Sequence, residues 1–215
     1  MKKLLAVSIC LLALAVGWRI SRAQSAPQFA LPSTVDVEFA TNGVVTSTFR
    51  RFTYGDGRSY ETQQHRKPDG AVTLNLKTWI DPQHGQLRTH DGSAVLDFLG
   101  YPATTYSRSG LNADWPGLPF KVTCGERTVA GAWQKNCFSP HLGLQVSSEG
   151  KQPSGGTVGL RVVNVVLGAP AVAYQLPDLP VSYDRLNQKI AQLRERGDYS
   201  LATQLEADIA KSRAQ

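Results

Sequence analysis

The sequence is poor in the motifs that carry catalysis. The 215-residue sequence contains no HExxH metal-binding motif, no GxSxG nucleophile elbow and no CxxC redox pair. Only four histidines occur, at His65, His84, His90 and His141. A zinc ion needs three or four converging ligands, and only His84 and His90 are close in sequence, so we expect no metal site and no cofactor.

The carboxylates show no pairing pattern for acid–base chemistry. Four aspartates occupy Asp-Gly or Asp-Pro turns, where the side chain bonds its own backbone: Asp56, Asp69, Asp81 and Asp91. The glutamates of the same region are scattered, at Glu38, Glu61, Glu126 and Glu149. We therefore expect a protein that is not an enzyme. Two catalytic alternatives stay open, a Ser-His-Asp triad assembled from distant residues and a site built on His84 or His90.

Long basic runs and long apolar runs are also missing. Four of the 23 basic residues lie in the first 22 positions, and without them 19 basic side chains face 17 acidic ones, a charge of +2. No later basic run exceeds Arg50-Arg51, which argues against a nucleic-acid partner. The only long apolar run, Leu4 to Trp18, is shorter than the roughly 20 residues that cross a bilayer.

The first 23 residues have the three parts of a secretory signal peptide. A basic start, Met1-Lys2-Lys3, precedes the apolar run, and the small residues Ser21 and Ala23 occupy the −3 and −1 positions of a cleavage site. We predict a signal peptide over 1–23, with Ser25 as the next cleavage choice, and a flexible leader over 24–33. The mature chain is then exported, periplasmic or extracellular, and has no transmembrane segment.

Three cysteines are too few for a disulfide framework, but two of them remain after cleavage. Cys10 leaves with the signal peptide, and Cys124 and Cys137 stay. In an oxidising compartment these two most readily pair with each other. Their separation suits a clip across a β-hairpin or its neighbouring strand.

Residues 34–180 have the alternating pattern of an antiparallel β domain. Val35, Val37 and Phe39 alternate with polar residues, and Asn42-Gly43 is a strong hairpin signal. Turn signals recur every 10 to 14 residues. One or two strands are predicted over 94–106, and later strands over 120–124, 128–137, 142–147 and 157–167. We predict a mainly β fold, a curved antiparallel meander of eight to ten strands. Such a sheet must curl into a half-barrel or split into two layers.

Residues 181–213 change to a helical period. One apolar stripe recurs at helical spacing on either side of Gly197-Asp198: Leu186, Ile190, Leu193, Leu201, Leu205 and Ile209. We predict a helical hairpin, with a single kinked helix as the alternative. The stripe must be buried against the sheet, against itself or against a partner. Pro177 and Pro180, as a stiff spacer, favour a partner or self-association.

Aromatic residues at strand positions are the best candidates for ligand contact. We select Trp79, Trp115, Trp133 and Phe98, because a curled sheet of this length has room for an apolar interior that side chains do not fill. The alternative for each is an ordinary place in the core. How tightly side chains fill the interior decides between ligand contact and core packing.

Two segments resemble known families. Residues 137–144, 156–164, 168–170 and 176–177, ahead of Tyr183, resemble the closing third of a family of exported bacterial β-sheet proteins of unassigned activity. His141 and Ala169 stand where that family has glutamates. The sheet pattern is similar to the half-barrel of periplasmic lipoprotein carriers, which implies a fold and no activity.

The tail is similar to the helical-hairpin module of nucleotide-excision repair proteins, at Asp198-Tyr199, Ala202, Leu205 and Ile209. That resemblance implies an element for binding a protein partner. The sequence as a whole predicts an exported, non-catalytic envelope protein that binds an apolar ligand or a protein partner through its curved sheet. The alternative is a scaffolding protein of the envelope that has no small-molecule ligand and interacts through its C-terminal helices.

Overall fold

A computed structural model describes residues 30–67, 69–100, 111–129, 132–151 and 155–214. The predicted signal peptide and all of the leader except residues 30–33 lie outside them. The strands are β1 Ser33–Thr41, β2 Val44–Thr53, β3 Ser59–Arg66, β4 Val72–Asp81, β5 Gln86–His90, β6 Leu96–Phe98, β7 Leu111–Ala113, β8 Val122–Val129, β9 Ala132–Ser139, β10 Leu144–Lys151, β11 Thr157–Leu167 and β12 Val181–Ser182. The helices are α1, Asp184–Glu195, and α2, Tyr199–Arg213.

All twelve strands belong to one sheet, in the order β12-β6-β5-β4-β3-β2-β1-β11-β10-β9-β8-β7. Two meanders, β1–β6 and β7–β11, therefore meet where β1 pairs with β11. Every pair is antiparallel except β12 with β6. The mainly β prediction is confirmed, and of the two arrangements it allowed the structure has the single sheet with a helical hairpin.

The first hairpin forms where the sequence places it. Asn42 and Gly43 take φ angles of 50° and 78°, the left-handed values that a tight two-residue turn requires. On the strand before it, Val35 and Val37 are buried while their polar neighbours are half-exposed. The alternation therefore sets which face of β1 joins the core.

Two strand predictions differ from the structure. The run 128–137, predicted as one strand, is divided, because β8 continues to Val129 and β9 begins at Ala132. β-Branched and aromatic residues on both sides of positions 130–131 have the sequence pattern of one continuous strand. One or two strands are predicted over 94–106; Leu96–Phe98 is a strand, and residues 101–106 lie outside the described ranges.

Two hydrophobic clusters hold the described chain together. The larger one contains Val35, Val37, Val122, Cys137, Leu142, Leu144 and Val146, with Trp115, Leu118 and Phe120 of the connection after β7 packed against it. The smaller one joins both helices to β6 through Phe98, whose side chain is fully buried. The helical hairpin is thus docked on the end of the sheet.

The connection from β11 to β12 lies across the first meander. The indole of Trp79 on β4 donates a hydrogen bond of 2.9 Å to the Gln175 carbonyl, and the Tyr54 hydroxyl donates one of 2.9 Å to the Val172 carbonyl. Burial raises the pKa of Tyr174 to about 12. None of the helices in the described part of the chain is long and apolar enough to cross a membrane.

Candidate ligand-binding groove

A groove of about 780 Å³ lies where the second meander meets β1 and β2. Its lining comes from the ends of β1 and β2, the middles of β8 to β11, and the connection after β7. Trp115 and Pro116 of that connection form one wall. The Leu118 amide donates a hydrogen bond of 3.1 Å to the Trp115 carbonyl, and this turn holds the wall in place.

Small side chains form the floor of the groove. Ala40 lies directly across from Gly159, and Ser147 lies across from Cys137. Residues that pair directly, or that lie two apart on one strand, share a face of the sheet. A run of small side chains over four neighbouring strands leaves a depression where larger residues would fill the space.

The predicted disulfide is present and belongs to this floor. Cys124 on β8 and Cys137 on β9 are direct cross-strand partners with Cα atoms 4.0 Å apart, and their sulfurs are bonded. Both residues line the groove. The prediction of a clip across a hairpin is therefore confirmed, and the clip also ties together two strands of the floor.

Charged side chains surround this apolar floor. Arg161 donates two hydrogen bonds, of 3.2 and 2.9 Å, to one oxygen of Glu38. Lys135 lies 3.5 Å from Glu126. The other two charged groups of the lining, Asp114 and Glu149, are exposed and form no ion pair within the described ranges.

The four aromatic candidates separate in the structure. Trp115 lines the groove, and Trp133 lines a second, smaller depression of about 340 Å³ beside Arg127 and Lys151. Trp79 is 5% exposed and lies in an aromatic row with Tyr60, below the 168–180 connection. Phe98 is in the hairpin core. Of the four candidates, Trp115 alone lines the groove.

The tail residues selected from the apolar stripe are mostly inside the hairpin. Leu186, Ile190, Leu193, Leu205 and Ile209 are buried, whereas Leu201 is 43% exposed. Ala202 takes the buried position in its place, because it is the next residue on the same helical turn. Partner binding by this stripe stays a prediction.

The histidines lie apart from the groove lining. His84 Nδ1 is 2.8 Å from Asp81 Oδ2, and the same carboxylate accepts a 3.1 Å bond from the His84 amide, the geometry of the predicted turn. His90 Nε2 lies 2.7 Å from the Ser93 carbonyl oxygen. Among the described residues no group of three or more His, Cys, Asp or Glu side chains is placed to hold a metal ion.

Sequence reasoning missed the small residues that form the groove. Gly159 and Ala40 carry no chemistry, and Ser147 was one position in a predicted strand. The available signal was Gly159 itself, because a glycine inside a strand often marks a place where another group approaches the backbone closely. The partners of Gly159 are 10 to 119 positions away in sequence, at Glu149 and Ala40, so the pattern could not show the floor as a unit.

No protein-family model and no curated protein sequence matches the chain. Among solved structures the chain is similar to PNGF-II, in P21 and C2 crystals, with TM-scores of 0.51 and 0.50 and 10% sequence identity in each. The match covers 74% of this chain and 33% and 32% of those chains, so the chain spans about a third of the length of PNGF-II. The hypothetical protein CT021 from Chlamydia trachomatis has a TM-score of 0.38 at 9% identity, over 71% of this chain and 95% of that one. At such identities the likeness to PNGF-II concerns the β-sheet fold alone.

Proposed function

We propose that this chain is an exported envelope protein that binds an apolar ligand in the groove between Trp115 and the Cys124–Cys137 disulfide. The observation that supports this most directly is the groove itself. Its volume of about 780 Å³ falls within the roughly 300–1,000 Å³ of small-molecule sites. Most of its lining is apolar, with a few charged groups at the margin, which is the usual composition of such sites.

Two features support the exported location. The sequence begins with the three parts of a signal peptide. The two cysteines of the body are joined in a disulfide, which persists in oxidising compartments and is rare in reducing ones.

A second candidate, an envelope scaffold that interacts through the C-terminal helices, has one observation in its favour. At the start of α2, Tyr199 is 65% exposed and Leu201 is 43% exposed, so each offers a large side chain to a partner. This candidate requires no ligand in the groove.

The test of the binding function uses a variant that fills the groove. A Cβ built on Gly159 meets only the Ser148 carbonyl oxygen, at an ordinary 3.6 Å, so Gly159→Leu can be accommodated by the backbone and places its side chain in the groove. Gly55→Leu is the matched control outside it, since a Cβ there meets only Pro32, at 3.7 Å. Binding of a fluorescent apolar probe is measured for both variants, together with organic extraction of the protein purified from its native envelope.

We expect the wild type and Gly55→Leu to bind the probe and Gly159→Leu to lose binding while it stays folded. Extraction of the wild type should release an apolar compound. A wild-type protein that carries no extractable compound and binds no probe would overturn the proposed function and leave the scaffold.

A further inference from the structure

We propose that the ligand of the groove carries a cationic head, an ammonium group at the end of an apolar chain. This inference rests on the binding function proposed above and adds the charge of the ligand to it. The chemistry of the occupant follows from which charges of the groove are already neutralised.

The charges of the lining leave a negative excess. Three acids and two bases line the groove, and both bases are engaged, Arg161 with Glu38 at 2.9 Å and Lys135 with Glu126 at 3.5 Å. The carboxylates of Asp114 and Glu149 have no such partner among the described residues. A cationic group in the groove would complete their pairing, whereas a carboxylate or sulfate head would meet like charge.

The register places one of these carboxylates beside the depression. Glu149 pairs directly with Gly159 on one side and with Lys135 on the other. Gly159 has no side chain, and Ala40 beyond it has only a methyl group. The space next to Glu149 is therefore open on the β11 side, where a head group of a few atoms can approach the carboxylate.

The second carboxylate is next to the aromatic wall. Asp114 precedes Trp115, which is half-buried and lines the same groove. Tryptophan is the side chain that attracts cations most strongly through its ring face. Aromatic rings together with carboxylates are the combination that recognises substituted ammonium groups, while the disulfide, Ala40 and Val45 offer an apolar surface to the chain of the ligand.

The experiment compares three amphiphiles that have the same ten-carbon chain and differ in head group. Decyltrimethylammonium, decyl maltoside and decanoate are titrated, each below its micelle concentration, into the purified full chain by calorimetry. We expect the cationic compound to bind about tenfold more tightly than the neutral one, and the anionic compound to bind most weakly, because two exposed charge pairs together contribute at this level.

The double variant Asp114→Asn with Glu149→Gln tests which residues confer the preference. It should bind the cationic and the neutral compound equally well and keep the wild-type affinity for the neutral one. The matched control is Asp178→Asn with Glu195→Gln, two exposed acids outside the groove, which should keep the preference.

The outcomes separate the two proposals. Equal binding of cationic and neutral compounds by the wild type would overturn the cationic head and leave the apolar-ligand function standing. A double variant that loses both compounds alike, or that retains the preference, would also overturn it. Binding of none of the three compounds would overturn the proposed function itself.

Discussion

The indole nitrogen of Trp79 on β4 donates a hydrogen bond of 2.9 Å to the carbonyl of Gln175, 96 residues further along the chain. This bond fixes the 168–180 connection across the first meander, above the row formed by Phe52, Tyr60 and Trp79. Trp79, which the sequence predicts as a ligand contact, therefore binds a connecting segment of its own chain.

Replacing Trp79 with Phe should destabilise the fold by about 1–3 kcal/mol. The change removes the hydrogen bond and leaves unfilled volume around a side chain that is 5% exposed. Urea unfolding measures the loss, and proteolysis should show earlier cutting within 168–180. The control is Trp133→Phe, since the Trp133 indole has no hydrogen bond to any described residue. Equal stability of the two variants would contradict the conclusion that Trp79 holds the 168–180 connection in place.

A second prediction concerns Asp36 and Arg50, direct partners on β1 and β2. Arg50 donates two bonds, of 2.6 and 3.1 Å, to the two oxygens of Asp36, and Asn164 donates a third, of 3.1 Å. The bonds from Arg50 hold the pKa of Asp36 below its ordinary value. A depressed carboxyl pKa stabilises the fold above the ordinary pKa, and this stability is lost as the pH falls through the depressed value.

Asp36→Asn should therefore cost up to about 1 kcal/mol at neutral pH, a small value because the Arg50 side chain is 55% exposed. At strongly acid pH the variant and the wild type should unfold at the same urea concentration. Asp178→Asn, without this pairing, should match the wild type throughout. A difference between Asp36→Asn and the wild type that grows with acid would show that the sign is wrong.

Asp208 on α2 is expected to show the opposite dependence. It lies over the end of β6, where a Cβ on Gly100 would come within 3.5 Å of its carboxylate oxygen. Burial raises the pKa of Asp208, partly offset by Lys211. A raised carboxyl pKa lowers stability above that pKa, and the penalty disappears as the pH falls below the ordinary value.

Asp208→Asn should accordingly stabilise the protein by about 0.5 kcal/mol at neutral pH and leave stability unchanged at strongly acid pH. Urea midpoints at several pH values check this. Asp178→Asn again serves as the control. A variant less stable than the wild type at neutral pH would mean that the carboxylate has a favourable role in the hairpin.

The disulfide gives a prediction that tests bond and export together. In the denatured, unreduced state the uncleaved chain should contain one free thiol, Cys10, and the chain cleaved after Ala23 should contain none. Replacing Cys124 and Cys137 with Ala should lower stability by about 3 kcal/mol, the loop-closure entropy of so short a loop. Urea unfolding with and without reductant measures this. Two thiols in the cleaved protein would contradict the bond.

The sequence predicted those parts of the fold that depend on residues close together along the chain. The alternation around Val35 and Val37, the Asn42-Gly43 turn and the stripe on both helices all rest on residues within a few positions of each other. Pairing of β1 with β11 joins residues more than 100 positions apart, and no turn or spacing encodes it. The groove depends on that pairing, because Ala40 and Gly159 face each other only once β1 and β11 are neighbours.

The aromatic candidates show the same limit. Trp79, Trp115, Trp133 and Phe98 look alike in sequence, as large apolar residues in or near strands. Their roles differ through contacts with distant segments, Gln175 for Trp79 and Leu186 and Ile190 for the cluster around Phe98. Residue type alone could not separate the groove residue from the core residues.

The last prediction concerns Phe98, which joins the helical hairpin to the sheet. Its ring is fully buried, 5.4 Å from the ring of Tyr183, and it belongs to the cluster formed by the apolar stripe of both helices. Phe98→Ala should cost about 3–5 kcal/mol, because it removes a large side chain from a closed core. The hairpin should detach more often, and its amides should exchange faster with solvent than those of β1 and β2. Leu201→Ala is the matched control on the same hairpin, and at 43% exposure it should change stability by no more than about 0.5 kcal/mol. If instead the tail is held only by a partner, Phe98→Ala and Leu201→Ala will leave the isolated protein equally stable, and the docked position of the hairpin will be contradicted.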